Sequence, residues 1–152
     1  MTAYMLSRIM KVILDTNIII SAIQAGDQLN RQLLRLAFLG EITPLVSTAL
    51  FLEYEAITQR REIMKNCHFT ASKAEQFLDS LFSVCQWVDI YFSWRPNLKD
   101  EGDNFLIELA VAGNADYLIT KNIRDLKHGE LIFPQLNIST PQEFMQVWRA
   151  KT

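Results

Sequence analysis

The chain has 152 residues, enough for one domain with a full core and too few for two of ordinary size. Fifteen basic and seventeen acidic side chains leave a net charge of −2, which excludes a protein that coats nucleic acid by bulk charge, so any contact with a polyanion is local. The two cysteines, Cys67 and Cys85, form neither a metal-type pair nor a secreted disulfide framework, and the opening MTAYMLSRIMKVILD holds no apolar run of signal-peptide length. The expectation is a cytoplasmic protein with no membrane span. Residues 1–9 read as a short N-terminal extension and 10–152 as the folded domain.

In chain order, KVIL (11–14) is a short apolar run bounded by polar residues, as strands buried on both faces usually are. In NRQLLRLAFLG, Leu33, Leu34, Leu36, Ala37 and Phe38 make one helical face, with Gly40 as its stop. ITPLV (42–46) reads as the second strand, and STALFLEYEAITQR as a helix whose apolar stripe runs through Ala49, Leu50, Tyr54 and Ile57. TASKAEQFLDSLF is amphipathic through Phe77, Leu78, Leu81 and Phe82, and VCQWVDIYF (84–92) predicts a long strand. NFLIELAVAG is a helix closed by Gly113, followed by strands at YLIT (117–120) and LNIS (136–139). STPQEFMQVW carries Thr140 at N-cap, Pro141 at the first helical position and Glu143 at the reciprocal capping-box position. Strands alternating with helices predict a three-layer α/β/α domain around a central parallel sheet, with two helices in each of the first two crossovers and one in the third. Sites in such sheets open at the carboxyl ends of the strands.

Three acids fall at that edge. Asp15 ends the first strand, with Thr16 and Asn17 leading into a helix; capping of that helix explains it taken singly. Glu53 lies on the apolar stripe of its helix, where an unpaired glutamate carries a desolvation cost of several kcal/mol unless it snorkels or meets an arginine. Asp103 stands at or near the N-cap of NFLIELAVAG, where a carboxylate is favoured by ~1 kcal/mol in any case. Asn122, after YLIT, is placed near Asp15 if the two strands are neighbours, and reads equally as a turn residue. Gathered together, the carboxylates repel one another unless a cation sits among them. Oxygen donors suit Mg²⁺ or Mn²⁺; the two histidines, His68 and His128, offer no ligand spacing for a softer metal.

VILDTNIIISA, LFLEYEAI, DEGDNFLIELAVAGNADYLITKNIRDL and NISTPQEFM, in that order and spacing, resemble the PIN-domain ribonucleases, in particular the bacterial group regarded as presumed toxins of toxin–antitoxin pairs. The resemblance runs from about Met10 to the end. It implies a PIN-like, Rossmann-like fold and an acidic cluster that binds one or two divalent ions, with a metal-activated water cleaving RNA. By motif, the acids correspond to Asp15, Glu53 and Asp103, and Asn17 helps to order the first. A fourth acid often follows the strand equivalent to YLIT. Here Asn122 holds that place, with Asp125 a possible substitute, and this departure bears on a second metal ion. Lys121 and Arg124, beside the strand end, are the candidates for phosphate contact; Arg60, Arg61, Arg95 and Lys99 read as solvated surface.

The resemblance also implies a homodimer and a small antitoxin that inserts a side chain or segment into the acidic pocket. Phe92, Trp94 and Trp148 are apolar residues available for such contacts, although core packing is the commoner fate of aromatic side chains. The alternative reading is a catalytically degenerate PIN-fold module that binds or regulates a protein partner, for which Asn122 is the support. A phosphatase with an aspartyl nucleophile ranks lower, because the second aspartate such enzymes need is Asn17 here.

Overall fold

Val12, Ile13 and Leu14 are buried completely because both faces of their strand, β1 (Met10–Leu14), are covered. The computed structural model describes residues 8–24, 27–67, 69–90, 104–124, 126 and 135–151. Beside β1 lie β2 (Ile42–Val46) and β4 (Tyr117–Ile119), with β3 (Gln86–Trp87) and β5 (Asn137–Ser139) outermost. The order is β3-β2-β1-β4-β5 and every pairing is parallel. The expected parallel sheet is therefore present.

The helices bounded within the described residues include α1 (Thr16–Ile23), α2 (Gln28–Phe38), α3 (Thr48–Ala56), α4 (Arg61–Met64), α5 (Ala71–Val84), α6 (Asn104–Gly113) and α7 (Pro141–Lys151), with a 3₁₀ turn at Ile57–Gln59. α2 touches α1, α5 and α7 in one linked layer, whereas α6 packs on β2 and β4. The crossover through α6 runs back from one edge of the sheet to the other side of β1, and a right-handed connection in that direction carries it to the opposite face. This is the three-layer α/β/α arrangement of the sequence reading.

Local chemistry sets the helix ends. Asp27 caps α2, accepting from Asn30 N at 3.1 Å. Gly40 takes φ +77 past its end, and Glu41 N bonds Leu36 O at 2.9 Å while Gly40 N bonds Ala37 O at 3.1 Å, the Schellman pair. The capping box of α7 forms as expected: Thr140 N donates to Glu143 Oε1 at 2.9 Å and Glu143 N to Thr140 Oγ1 at 3.1 Å.

The details differ in four places. α5 runs on through Val84, so the predicted strand 84–92 is reduced to Gln86–Trp87, with Phe92 beyond the described residues. The second crossover holds three helices rather than two, because Arg61–Met64 coils separately. Ala49 is exposed, so the buried stripe of α3 is Leu50 and Tyr54, continued by Ile57 just past its end. Finally, Gly113 is not the turn residue that closes α6; Asn114 takes the left-handed conformation at φ 53, and Ala115 N reaches Ala110 O at 3.0 Å. Gly113 is needed for closeness instead, since a Cβ there would lie 2.7 Å from Leu45 Cδ1 and 3.1 Å from Val88 Cγ2.

Candidate active site

From β1 the chain builds outward through β2 to β3, then returns to lay β4 and β5 on the other flank. The carboxyl ends of β1 and β4 therefore flank a topological switch point, where open parallel sheets bind ligands. Asp15 and Thr120 stand there. The register Val12↔Tyr117, Ile13↔Leu118, Leu14↔Ile119 makes them the next pair across, and Asp15 N donates to Ile119 O at 3.0 Å.

Asp15 uses both carboxylate oxygens. Oδ1 accepts from Thr16 N at 2.7 Å, which caps α1 at its first N–H only. Oδ2 is turned toward β4, accepting from Thr120 Oγ1 at 2.7 Å and, more weakly, from Asn17 Nδ2 at 3.4 Å. Asn17 also accepts from Lys121 N at 3.3 Å through its Oδ1, so it ties the loop after β4 to α1. The ordering role implied for Asn17 has a geometric basis in these contacts. Capping accounts for one of the two oxygens, not for the other.

Burial pushes the Asp15 carboxyl up, the bonds from Thr120 and Thr16 pull it down, and the charge of Glu53 pushes it up again, leaving it above its ordinary 3.8. Glu53 is thus near enough to repel Asp15. It is not buried on the stripe of α3 as its position predicts: its side chain is 42% exposed on the flank, with Arg60 Nη2 at 3.7 Å from Oε2. Sixty degrees or so of helix separate Glu53 from Leu50, enough to place it at the rim of the stripe rather than on it. An ion pair this open is screened by water and leaves Glu53 available to a stronger cation.

The other predicted residues divide. Asp103 and Asp125 lie outside the described residues, as do His68, His128, Trp94, Arg95 and Lys99. Asn122 is exposed, and its backbone N–H donates to Thr120 Oγ1 at 2.9 Å. The side chain that touches Asp15 from this strand end is Thr120, in sequence the last residue of the apolar run YLIT. The ammonium of Lys121 meets Ser21 Oγ and lies 3.7 Å from Asp27 Oδ2. Burial raises Asp27, but its bonds from Asn30 and the charge of Lys121 outweigh this and hold it below the ordinary carboxylate value. Arg124 is exposed, and Trp148 is partly buried against the core.

The donor set fits a hard cation. Asp15 and Glu53 offer carboxylate oxygens, while Cys67 is bonded to Ile63 O and burial pushes the Cys85 thiol up to about 12. Among the described residues, no three acids, histidines or cysteines form a metal cage.

An open parallel α/β sheet binds its ligand at the switch point, where Asp15 stands, and many unrelated activities share this architecture. The sequence narrows this. Residues 11–124 match the family model of the PIN domain, and the chain belongs to that family, whose members are generally nucleases. Among solved structures, the fold is similar to VapBC2 from Rickettsia felis bound to a DNA fragment from its promoter: TM-score 0.59 at 19% identity, covering 86% of this chain and 98% of that one. No curated protein matches the sequence.

Proposed function

We propose that the protein is a divalent-metal-dependent endoribonuclease and the toxin of a toxin–antitoxin pair. The single observation that carries the reading is Asp15. It is a carboxylate oriented by three donors at the switch point, held above its ordinary pKa by burial and by Glu53, in a chain of the PIN family. Such a group is unfavourable alone and favourable beside a cation.

Asp15, Glu53 and Asp103 would hold Mg²⁺ or Mn²⁺, with Asp15 central. A bound ion of this kind lowers the pKa of water and neutralises charge on a phosphate. The chain's own part is positioning. Thr120 and Thr16 fix the direction of the Asp15 oxygens, Asn17 holds the loop after β4 in place, and Glu53 stands at the solvent rim, where it can orient the attacking water or take its proton. Arg124 and Lys121 are the candidates for contact with a substrate phosphate, although Lys121 must first leave Asp27. Asn122 supplies no charge in place of a fourth acid, which favours one tightly held ion over two.

The fold shared with VapBC2 supports an antitoxin as partner; a homodimer and a cytoplasmic setting are part of the proposal, carried over from the sequence resemblance. Among the described residues, no helix is long and apolar enough to cross a membrane. The test is Asp15→Asn. Mn²⁺-dependent cleavage of a single-stranded RNA should fall at least a hundredfold while the circular dichroism spectrum is unchanged. Cleavage retained by the variant would refute the assignment. A wild-type protein that neither cuts RNA nor gives heat with Mn²⁺ would favour the alternative of a degenerate, protein-binding PIN module.

A further inference from the structure

Asp15 and Glu53 come from different elements, a strand end and a helix, and the fold must fix the distance between them. Apolar packing does this poorly. Leu50 and Ile57 seat α3 and its continuation on the core, but burial is non-directional and permits rotation about the helix axis. A carboxylate roughly 6 Å from that axis moves ~1 Å for a turn of ~10°, enough to spoil a metal–oxygen bond.

One directional contact opposes this rotation. The hydroxyl of Tyr54 donates to the backbone carbonyl of Leu14. Tyr54 follows Glu53 directly, and Leu14 precedes Asp15 directly, so a single hydrogen bond joins the immediate neighbours of the two acids. Its environment makes it durable. Tyr54 is 2% exposed, its ring stacks on Phe82 at 6.0 Å with 18° between planes, and Phe82 packs on Phe51 at 4.6 Å.

We infer that Tyr54 is the positioning residue of the acidic pair: its bond to Leu14 O sets α3 against β1 and thereby holds Glu53 at the distance from Asp15 that a divalent cation requires. This rests on the metal-dependent reading above, but it assigns to the protein interior a specificity that the acids themselves do not provide. A tyrosine that only filled the core would serve as well without its hydroxyl, apart from the stability of one bond.

The experiment compares Tyr54→Phe with Phe144→Leu. Phe144 is fully buried on α7 against Tyr117, remote from the site, and its truncation lowers the melting temperature without touching either acid. Mn²⁺ affinity is measured on the intact chain by titration calorimetry and, independently, by the rise in melting temperature with added Mn²⁺. Tyr54→Phe should weaken Mn²⁺ about tenfold while Phe144→Leu leaves it within about twofold. In cleavage assays the Mn²⁺ needed for half-maximal rate should rise and the KM for RNA should not. Phe82→Leu, which keeps the hydroxyl but loosens the ring beneath it, should weaken Mn²⁺ about threefold, and it serves if Tyr54→Phe does not fold. Unchanged affinity in Tyr54→Phe, or equal weakening in Phe144→Leu, overturns the inference while the nuclease reading stands. A wild-type chain that takes up no Mn²⁺ overturns both.

Discussion

Thr120→Val removes one hydroxyl and keeps the shape. In the native site that hydroxyl is wholly buried, donates to Asp15 Oδ2 at 2.7 Å and accepts from Asn122 N at 2.9 Å. A hydrogen bond to an ionised acceptor is worth about 1.5–3 kcal/mol, and the Asn122 N–H lies at an exposed residue where water can replace its partner, so the loss should stay near 2 kcal/mol. For a domain of this size each kcal/mol lowers the melting temperature by ~2–4 °C, so the variant should melt roughly 4–8 °C below wild type at neutral pH. The second consequence is electrostatic. Thr120 pulls the Asp15 carboxyl down against burial and Glu53, and without it the carboxyl climbs further. A protonated Asp15 is no ligand, so the acid limb of Mn²⁺ binding should move to higher pH. Scanning calorimetry in EDTA measures the first effect and Mn²⁺ titrations across the acid range the second, with Thr120→Ser restoring most of both. A Thr120→Val protein that melts within a degree of wild type and binds Mn²⁺ with an unshifted pH profile would show that Thr120 does not hold Asp15.

Metal-free Asp15→Asn should outlast wild type as pH rises. Native Asp15 binds its proton more tightly than the unfolded chain, whose carboxyl sits near 3.8, so the wild type loses stability between that value and the raised native one and carries the loss at all higher pH. Urea midpoints in EDTA should therefore favour the variant more at about pH 7.5 than at about pH 4, and a gap moving the other way would contradict the sign of the shift. Gly113→Ala should cost about 1 kcal/mol, because the gain of ~1 kcal/mol in helix propensity is outweighed by overpacking of ~1–3 kcal/mol against Leu45 and Val88. A matched Leu45→Val change, which withdraws the nearer atom, should recover part of that loss in a thermal melt.

What the sequence displays plainly is whatever depends on near neighbours. The capping box at Thr140 and Glu143 and the stop at Gly40 are each specified within a few residues, and both form. Buried strands at KVIL and YLI show themselves because two covered faces leave no polar alternation. Thr120 is the opposite case. Its hydroxyl matters only because β4 lies beside β1 in a particular register, a fact no window of the chain contains, so a polar residue at the end of an apolar run passes for a boundary. Glu53 fails for a related reason. Its spacing from Leu50 and Ile57 is right for the buried face, but α3 also exposes Leu52, at 59%, and its polarity pattern cannot say where the edge of that face falls. Gly113 shows two roles sharing one letter, a turn and a close approach, which only the distance to Leu45 separates.

The pairing of Asp15 with Thr120 spans 105 positions of sequence and skips two strands, so the site comes into being only when the sheet is assembled on both sides of β1. Before that, Asp15 is an ordinary solvated carboxyl; afterwards it is held among donors, above its ordinary value and against the charge of Glu53. The repulsion is therefore a property of the finished fold, and any cation that settles between the two acids is stabilised by relieving it. A divalent ion and the guanidinium or ammonium of a protein partner act alike in this respect, the ion offsetting two charges and the side chain one, in the same space. They must then exclude one another. An inhibitor that offers a basic side chain to Asp15 and Glu53 would raise the melting temperature of the chain as a metal does, while removing the ion on which cleavage depends.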